Sequence, residues 1–388
     1  MNRIKAYCST VDWEQAGIVA FYGFFAINIL MKAFSYDHGD NIYKYFFVFG
    51  MAFLAVKLAT TRYTLREVIW VAILLGLGLV LSVITKSNTW LLLFLTISGM
   101  KNTSFRVLAR FALYIRAFSM TLLVAGSYFG VYDMGFKTTP DTRYVEIPVY
   151  SFAMSEPNTA FLAVFLTLEL LLYCNYEKLN KWWFFGTSAV ALLFYKWTFC
   201  RTGIAVFFFC WALIILEKLV KSRKIKFLLV LSVPVGALFS FVMMVLYDAG
   251  NPFMKLMSHL VSGRIYIMNG FYRQVGLSLF PRTQELFYAN YYGLIDNAYM
   301  FVLLYCGVIV AALFFAGVCA SLFYLWRRGH YRELVMITGM ALYGVLEQYV
   351  MNGFMNLFIL LCGILLYPDI LGDERNVPLC TESSVEIK

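Results

Sequence analysis

The sequence predicts an all-α, polytopic integral membrane protein with about twelve transmembrane helices. Three observations predict it. Of the 388 residues, 61% are hydrophobic and only 14% are charged, where a soluble chain carries about 25% charge. The mean hydropathy is +0.72. Apolar runs of about 20 residues recur along the chain, the length a helix needs to cross about 30 Å of hydrocarbon. Backbone polar groups find no water there, so the spans are expected to be helical.

Taken in order, the runs predict spans near 16–34, 42–58, 67–85, 88–100, 108–130, 159–175, 182–199, 203–219, 227–247, 297–320, 334–350 and 354–367. Those at 88–100 and 354–367 are shorter than a full crossing. The chain is polar up to Gln15 and its first apolar run is long, so a retained span is expected rather than a cleaved signal peptide. Residues 1–367 read as one transmembrane domain, and 368–388 as a polar cytoplasmic tail.

Charge sets the expected orientation. The net charge of +10 is a topology signal in such a chain, not a sign of an acidic partner. Clusters such as Lys218/Lys221/Arg223/Lys224/Lys226 and Arg327/Arg328/Arg332 fall on one side. Only Lys86, Lys137, Arg143, Arg201, Lys255, Arg264, Arg273 and Arg282 fall on the other. The positive-inside rule then gives N-in, C-in. Lys32, Lys44, Arg116 and Lys196 lie within spans, where snorkelling is the simplest reading. Two extracytoplasmic loops are long, about 131–158 and about 248–296. The second contains LMSHLVSGRIYIMNGFYRQV, an amphipathic stretch expected to lie on the membrane surface.

Several function classes are excluded. So much apolar surface rules out a soluble enzyme and a nucleic-acid-binding domain. The eight Cys form no C-x-x-C pair, and the three His are scattered, so neither a zinc site nor a disulfide framework is indicated. No P-loop or dinucleotide fingerprint is present, which disfavours an ATP-driven pump and a nucleotide-sugar transferase. No cofactor and no metal are expected.

The candidate site residues lie on the outer side. Arg201 follows the span ending at Phe199, and Arg264, Arg273 and Arg282 share the long loop. A guanidinium offers a fixed fork of donors that suits a diphosphate. Interfacial anchoring is the other reading. Arg143, near Asp141 and Glu146, reads as a solvated loop charge. Glu156-Pro157-Asn158 leads into a span. Glu156 reads equally as a base for a sugar hydroxyl or as part of a plain helix cap, and Asn158-Thr159 as substrate contact or helix cap. Asp296-Asn297 opens another span, with capping or substrate contact both open. Glu347, in YGVLEQYVMNGFMN, lies in the membrane. A carboxylate there needs a partner or a role, and an ion pair with one of the arginines is one reading. Lys196 and His259 complete the candidate substrate-binding set. Tyr266, Tyr272, Tyr288, Tyr291 and Tyr292 are candidates for stacking on sugar rings.

These segments resemble the Wzy-type polysaccharide polymerases of bacterial surface-glycan clusters, relatives of the O-antigen ligases. SFAMSEPNTAFL is similar to the family's His-Pro-Asn segment, FCRTG to its Ser-Arg-Thr segment, SGRIYIMNGFYRQVGLSLF to its Gly-Arg segment, and LIDNAYMFVLLYCGVI to its Asp-Asn-x-Tyr segment. Two positions depart: Glu156 stands in place of the His, and Cys200 in place of the Ser. The resemblance covers most of the chain and is mainly architectural. It implies a GT-C-like membrane fold in a bacterial inner or plasma membrane. It also implies an undecaprenyl-diphosphate-linked oligosaccharide as substrate, membrane lipids around it, and a chain-length regulator and a flippase as pathway partners. Arg201 and Arg264 would neutralise the leaving diphosphate. Alternative readings are a ligase that uses another acceptor, a lipid-linked oligosaccharide flippase or transporter, and a sugar O-acyltransferase.

Overall fold

The apolar runs fold as helices packed side by side. The structure is a computed structural model and describes residues 12–36, 40–140, 146–283 and 295–372. His38, Arg143, Tyr288, Tyr291, Tyr292 and the tail from residue 373 lie outside the described residues.

The first half of the chain gives seven helices. These are α1 (Trp13–Ala33), α2 (Asn41–Thr60), α3 (Leu65–Thr85), α4 (Thr89–Gly99), α5 (Phe105–Tyr128), α6 (Pro157–Cys174) and α7 (Lys181–Thr198). Next come α8 (Arg201–Leu219) and α9 (Arg223–Leu246), the latter passing through a 3-10 stretch at Phe227–Leu231. The chain continues through α10 (Pro252–Leu260), α11 (Arg264–Val275), α12 (Ala298–Arg328) and α13 (Tyr331–Gly344). It finishes in 3-10 turns at Gln348–Met351, Leu357–Leu365 and Pro368–Leu371. Local chemistry fixes several starts. The Asp12 carboxylate accepts the N–H groups of Glu14 and Gln15 at α1. Thr64 and Glu67 form a capping box at α3, in which each satisfies an orphan N–H of the other's turn.

Among the described residues, α1, α2, α3, α5, α6, α8, α9 and α12 are long and apolar enough to cross a membrane. By helix length and composition the fold is that of a polytopic membrane protein. Four of the twelve expected spans are not among these eight: the run at 182–199 forms α7, an 18-residue helix that carries Lys181 and Lys196, and three further runs depart as follows. The run at 88–100 forms only the 11-residue α4, with Trp90 and every residue from Leu92 to Gly99 buried. The run at 354–367 forms the 3-10 stretch Leu357–Leu365, buried over most of its length. These segments are apolar because protein surrounds them, and a helix that is apolar all round reads the same whether protein or lipid covers it. The run at 334–350 stops as an α-helix at Gly344. The helices α2 and α3 show the opposite case, with most of their surface facing outward.

The two long loops contain regular structure. The loop at 131–158 contains an antiparallel pair, β1 (Lys137–Pro140) and β2 (Glu146–Val149), with Lys137 opposite Val149. This pair departs from the all-α expectation. The Tyr150 N–H donates to the Trp197 carbonyl at 2.8 Å, which ties the loop to the end of α7. In the second loop the amphipathic run divides at Ser262 and Gly263, both left-handed, into α10 and α11. Of these, α10 is largely exposed, whereas α11 packs against α9 and buries Arg264, Ile265, Met268 and Phe271. The Asn269 amide donates to the Met244 carbonyl at 2.8 Å. The stretch is therefore not one continuous exposed helix: α10 is exposed and α11 is part of the packed bundle.

A backbone break at Gly307 bends α12. There the N–H groups of Val308 and Ile309 donate to the carbonyls of Ser278 and Leu279. The loop thus replaces the helical bonds that the kink removes. Gly307 has φ of +80°, and a Cβ there would sit 2.7 Å from the Leu279 and Phe280 backbone. Only glycine meets both demands.

Arg116 is buried in α5 and donates to the Phe354 and Met355 carbonyls. It supports the non-helical backbone between the two final runs, which corrects the snorkelling reading for this residue.

Candidate functional site

The site is assembled at the end of the bundle that the charge pattern puts outside. Arg264 is the first residue of α11, placed by the left-handed turn at Gly263. Glu347 follows the end of α13, on extended backbone with φ of −146°. Arg264 Nη2 donates to Glu347 Oε1 at 2.7 Å and lies 3.8 Å from Asp296 Oδ2. Arg264 and Glu347 are 5% and 6% exposed, so the ion pair is closed to solvent. The sequence reading of Glu347 as an arginine partner matches this pair. Arg264 Nε is buried without a hydrogen-bond partner.

Asn297 holds the surrounding elements. Its side chain accepts the Met300 N–H at 2.9 Å, so Asn297 is the cap of α12. Its amide donates to Ser240 Oγ on α9 at 2.9 Å and to the Val345 carbonyl at 2.8 Å. Asp296 makes no cap. It is half-buried beside Arg264, and burial pushes its carboxyl up while Arg264 opposes the shift.

Arg201 opens α8 after Phe199, whose backbone is left-handed at φ of 51°. It is exposed, with its guanidinium 5.2 Å from the centre of the Phe199 ring. It forms no ion pair among the described residues. The helix α8 packs against α13, and the buried Cys200 lies within the electrostatic reach of Glu347 and Arg264. Arg201 is the residue that follows this buried Cys200 in the chain.

Glu156 is exposed and pairs with Lys137 of β1 at 2.7 Å. It occupies the N-cap position of α6 but makes no side-chain cap bond. Asn158 is exposed inside the first turn, so the capping reading for Asn158 does not hold. Arg282 Nη1 donates to the Val275 and Gly276 carbonyls at 2.6 and 3.2 Å, closing the end of α11. Arg273 Nη2 donates to the Tyr247 carbonyl at 3.4 Å. These two guanidinium groups serve backbone carbonyls. Lys196 and His259 are exposed on α7 and α10. Tyr266 packs edge-on against Tyr247.

Sequence reasoning missed a large cavity on the same end. Its volume is about 700 Å³. It is walled by the ends of α1, α2, α3 and α4, the start of α6, and α12 up to Tyr305. Ser155 and Thr159 flank Glu156 in this wall, and Gln348 and Tyr349 follow Glu347 directly. Three lysines line it: Lys32, Lys44 and Lys86. They stand on three helix ends, so no local spacing signals them.

Glu169 was also missed. It is buried in α6, and neither carboxylate oxygen has a hydrogen-bond partner. A Cβ on Gly339 would stand 3.5 Å from its Oε1 and 2.5 Å from Cys210 Sγ. Its only signal was a single acid in an apolar run. Among the described residues no His, Cys, Asp and Glu group is arranged to hold a metal.

No family model, curated protein sequence or solved structure matches the chain.

Proposed function

We propose that the chain is a polysaccharide polymerase of the outer face of a bacterial cell membrane. It joins oligosaccharide repeat units carried on undecaprenyl diphosphate. The acceptor unit's terminal hydroxyl attacks the reducing-end carbon of the donor chain. A carbon–oxygen bond forms there as the bond to the diphosphate oxygen breaks, and undecaprenyl diphosphate leaves. The expected stereochemical course is inversion. The energy lies in the diphosphate linkage, so no nucleotide is consumed.

The observation that carries this reading is the exposed guanidinium of Arg201, without an ion pair among the described residues, at the start of a helix that packs on α13, the helix that leads to Glu347 of the buried Arg264–Glu347 pair. Arg201 takes the charge that builds on the leaving diphosphate, a role for a preorganised donor. Arg264 is neutralised by its own carboxylates, and it adds field and shape to the site. Glu156, next in the chain to Ser155 of the cavity wall and paired with Lys137, accepts the acceptor's proton. Replacing Arg201 and following the surface glycan tests the reading.

Transport of a lipid-linked glycan is the second reading, and Glu169 favours it. A partnerless carboxylate inside a span is a functional group by default. Glu169→Gln separates the two readings. Lipid-linked units retained at the inner leaflet support transport, and single units accumulated at the outer leaflet do not.

A further inference from the structure

We infer that the beginning of α9, with the turn before it, and the end of α12 form a binding site for the phosphate of an anionic phospholipid headgroup. The site is independent of the polymerase reading. It lies at the far end of α12 from Asn297 and from the Arg264–Glu347 pair.

The cations in this region divide into two sets. The first serves the protein itself. Lys218 donates to the Tyr176 carbonyl at 2.9 Å, Lys226 pairs with Glu217 at 2.6 Å, and Arg332 pairs with Glu333 at 3.0 Å. Those two acids are further engaged, because the Tyr176 and Tyr173 hydroxyls donate to Glu217 and Glu333 at 2.9 Å. The second set is Lys221, Arg223, Lys224, Arg327 and Arg328. All are exposed, and none forms an ion pair among the described residues. Neither α9 nor α12 contains an Asp or a Glu.

Hydrogen bonds hold the second set together. Arg223 Nη2 donates to the Arg327 carbonyl at 2.8 Å, and Trp326 Nε1 donates to the Arg223 carbonyl at 3.0 Å. The Arg223 guanidinium lies 4.9 Å from the centre of the Trp326 ring. Like charges are thereby fixed close together, an arrangement that repels until an anion joins it.

The flanking residues say which anion. Leu219, Ile225, Leu228 and Phe323 are exposed, on helices long and apolar enough to cross a membrane. Exposed apolar surface of this kind takes lipid chains as its neighbours. Arg327 stands one turn beyond Phe323, with its guanidinium 5.7 Å from that ring centre. The cations therefore begin where the apolar surface stops, at the depth of the lipid headgroups. Guanidinium forks and ammonium groups both suit a phosphate. A zwitterionic headgroup brings its own cation to the patch, and an anionic one does not.

The test is native mass spectrometry of the purified full-length chain in detergent. It is titrated with phosphatidylglycerol and with phosphatidylcholine of the same acyl chains. Phosphatidylglycerol is expected to be retained about tenfold more tightly. The quadruple variant Lys221→Gln, Lys224→Gln, Arg327→Gln, Arg328→Gln is expected to lose that preference. Arg223 is left in place because it ties the two helices together. The exchanged variant Lys221→Arg, Lys224→Arg, Arg327→Lys, Arg328→Lys should keep the preference, and Lys255→Gln on α10 should change nothing. Melting temperatures in phosphatidylcholine nanodiscs show that each variant is folded, and the wild-type comparison of the two lipids stands without any variant. No preference in the wild type, or an undiminished one in the folded quadruple Gln variant, overturns the inference. Displacement of phosphatidylglycerol by inorganic phosphate at equal concentration also overturns it, and assigns the patch to a free anion. Capture of polyglutamate by these cations in phosphatidylcholine nanodiscs, without a preference for phosphatidylglycerol, overturns it in favour of an acidic protein partner.

Discussion

Arg264 and Glu347, 83 positions apart in the chain, meet in a buried ion pair at 2.7 Å. This pair joins α11, from the second long loop, to the end of α13. It is one of the links between that stretch and the bundle, beside the Asn269–Met244 bond and the crossing at Gly307. Taking one partner away leaves the other charge buried.

Glu347→Ala is therefore expected to destabilise the protein by about 3–5 kcal/mol, and Arg264→Ala by a similar amount. The double replacement Arg264→Met, Glu347→Leu should recover much of that loss, because a packed apolar pair can replace a buried ion pair. Activity should not return with it. Thermal unfolding of the purified variants measures the first effect, and the surface-glycan ladder measures the second. Additive losses in the double variant would show that the two side chains do not act as a pair.

The sequence made part of this legible. The cost of an acid in the membrane required a partner for Glu347, and the excess of outer arginines offered candidates. Which arginine answers depends on the turn at Ser262–Gly263, and that turn was hidden inside a continuous amphipathic pattern. The eight long helices were legible because their length and hydropathy agree. The helix α4 and the run Leu357–Leu365 misled as spans, since burial by protein and exposure to lipid select the same residues. The lysine cavity was illegible for another reason. Lys32, Lys44 and Lys86 each look like an interfacial anchor on its own helix, and only packing brings them to one wall.

Gly307→Ala is expected to cost about 1–3 kcal/mol from its left-handed backbone alone. The added methyl also meets the Leu279 and Phe280 backbone, so the total should exceed that figure. Melting temperature reports it. Wild-type stability in Gly307→Ala would contradict the crossing of loop and helix at this point.

Asp296 gives a pH test. Burial raises its carboxyl above the ordinary range, so the folded state holds its proton more firmly than the unfolded chain. Its contribution to stability is then fully present below the unfolded value and is lost as pH rises through the raised folded value. Asp296→Asn should match or exceed the wild-type melting temperature at pH 7, and the difference should close in acid. A variant that is less stable than wild type at pH 7 and equal to it in acid would reverse the sign and show that the Arg264 contact dominates.

The orientation can be read by labelling. Lys137→Cys is expected to react with a membrane-impermeant maleimide in intact cells. Lys221→Cys should react only after the membrane is opened. The reverse pattern would place the candidate site inside the cell and remove the basis for an outer-face polymerase.

The most direct measurement is the surface-glycan ladder from native-host cells carrying Arg201→Ala or Arg201→Lys, with membrane levels of each variant confirmed. Arg201 is exposed and makes no ion pair among the described residues, so its loss should change stability by no more than about 0.5 kcal/mol. The account predicts that the ladder collapses to single repeat units on lipid in both variants, because Lys lacks the guanidinium fork. A ladder identical to wild type would contradict it and leave Arg201 as an interfacial anchor, and full-length glycan that stays unattached would point instead to a ligase.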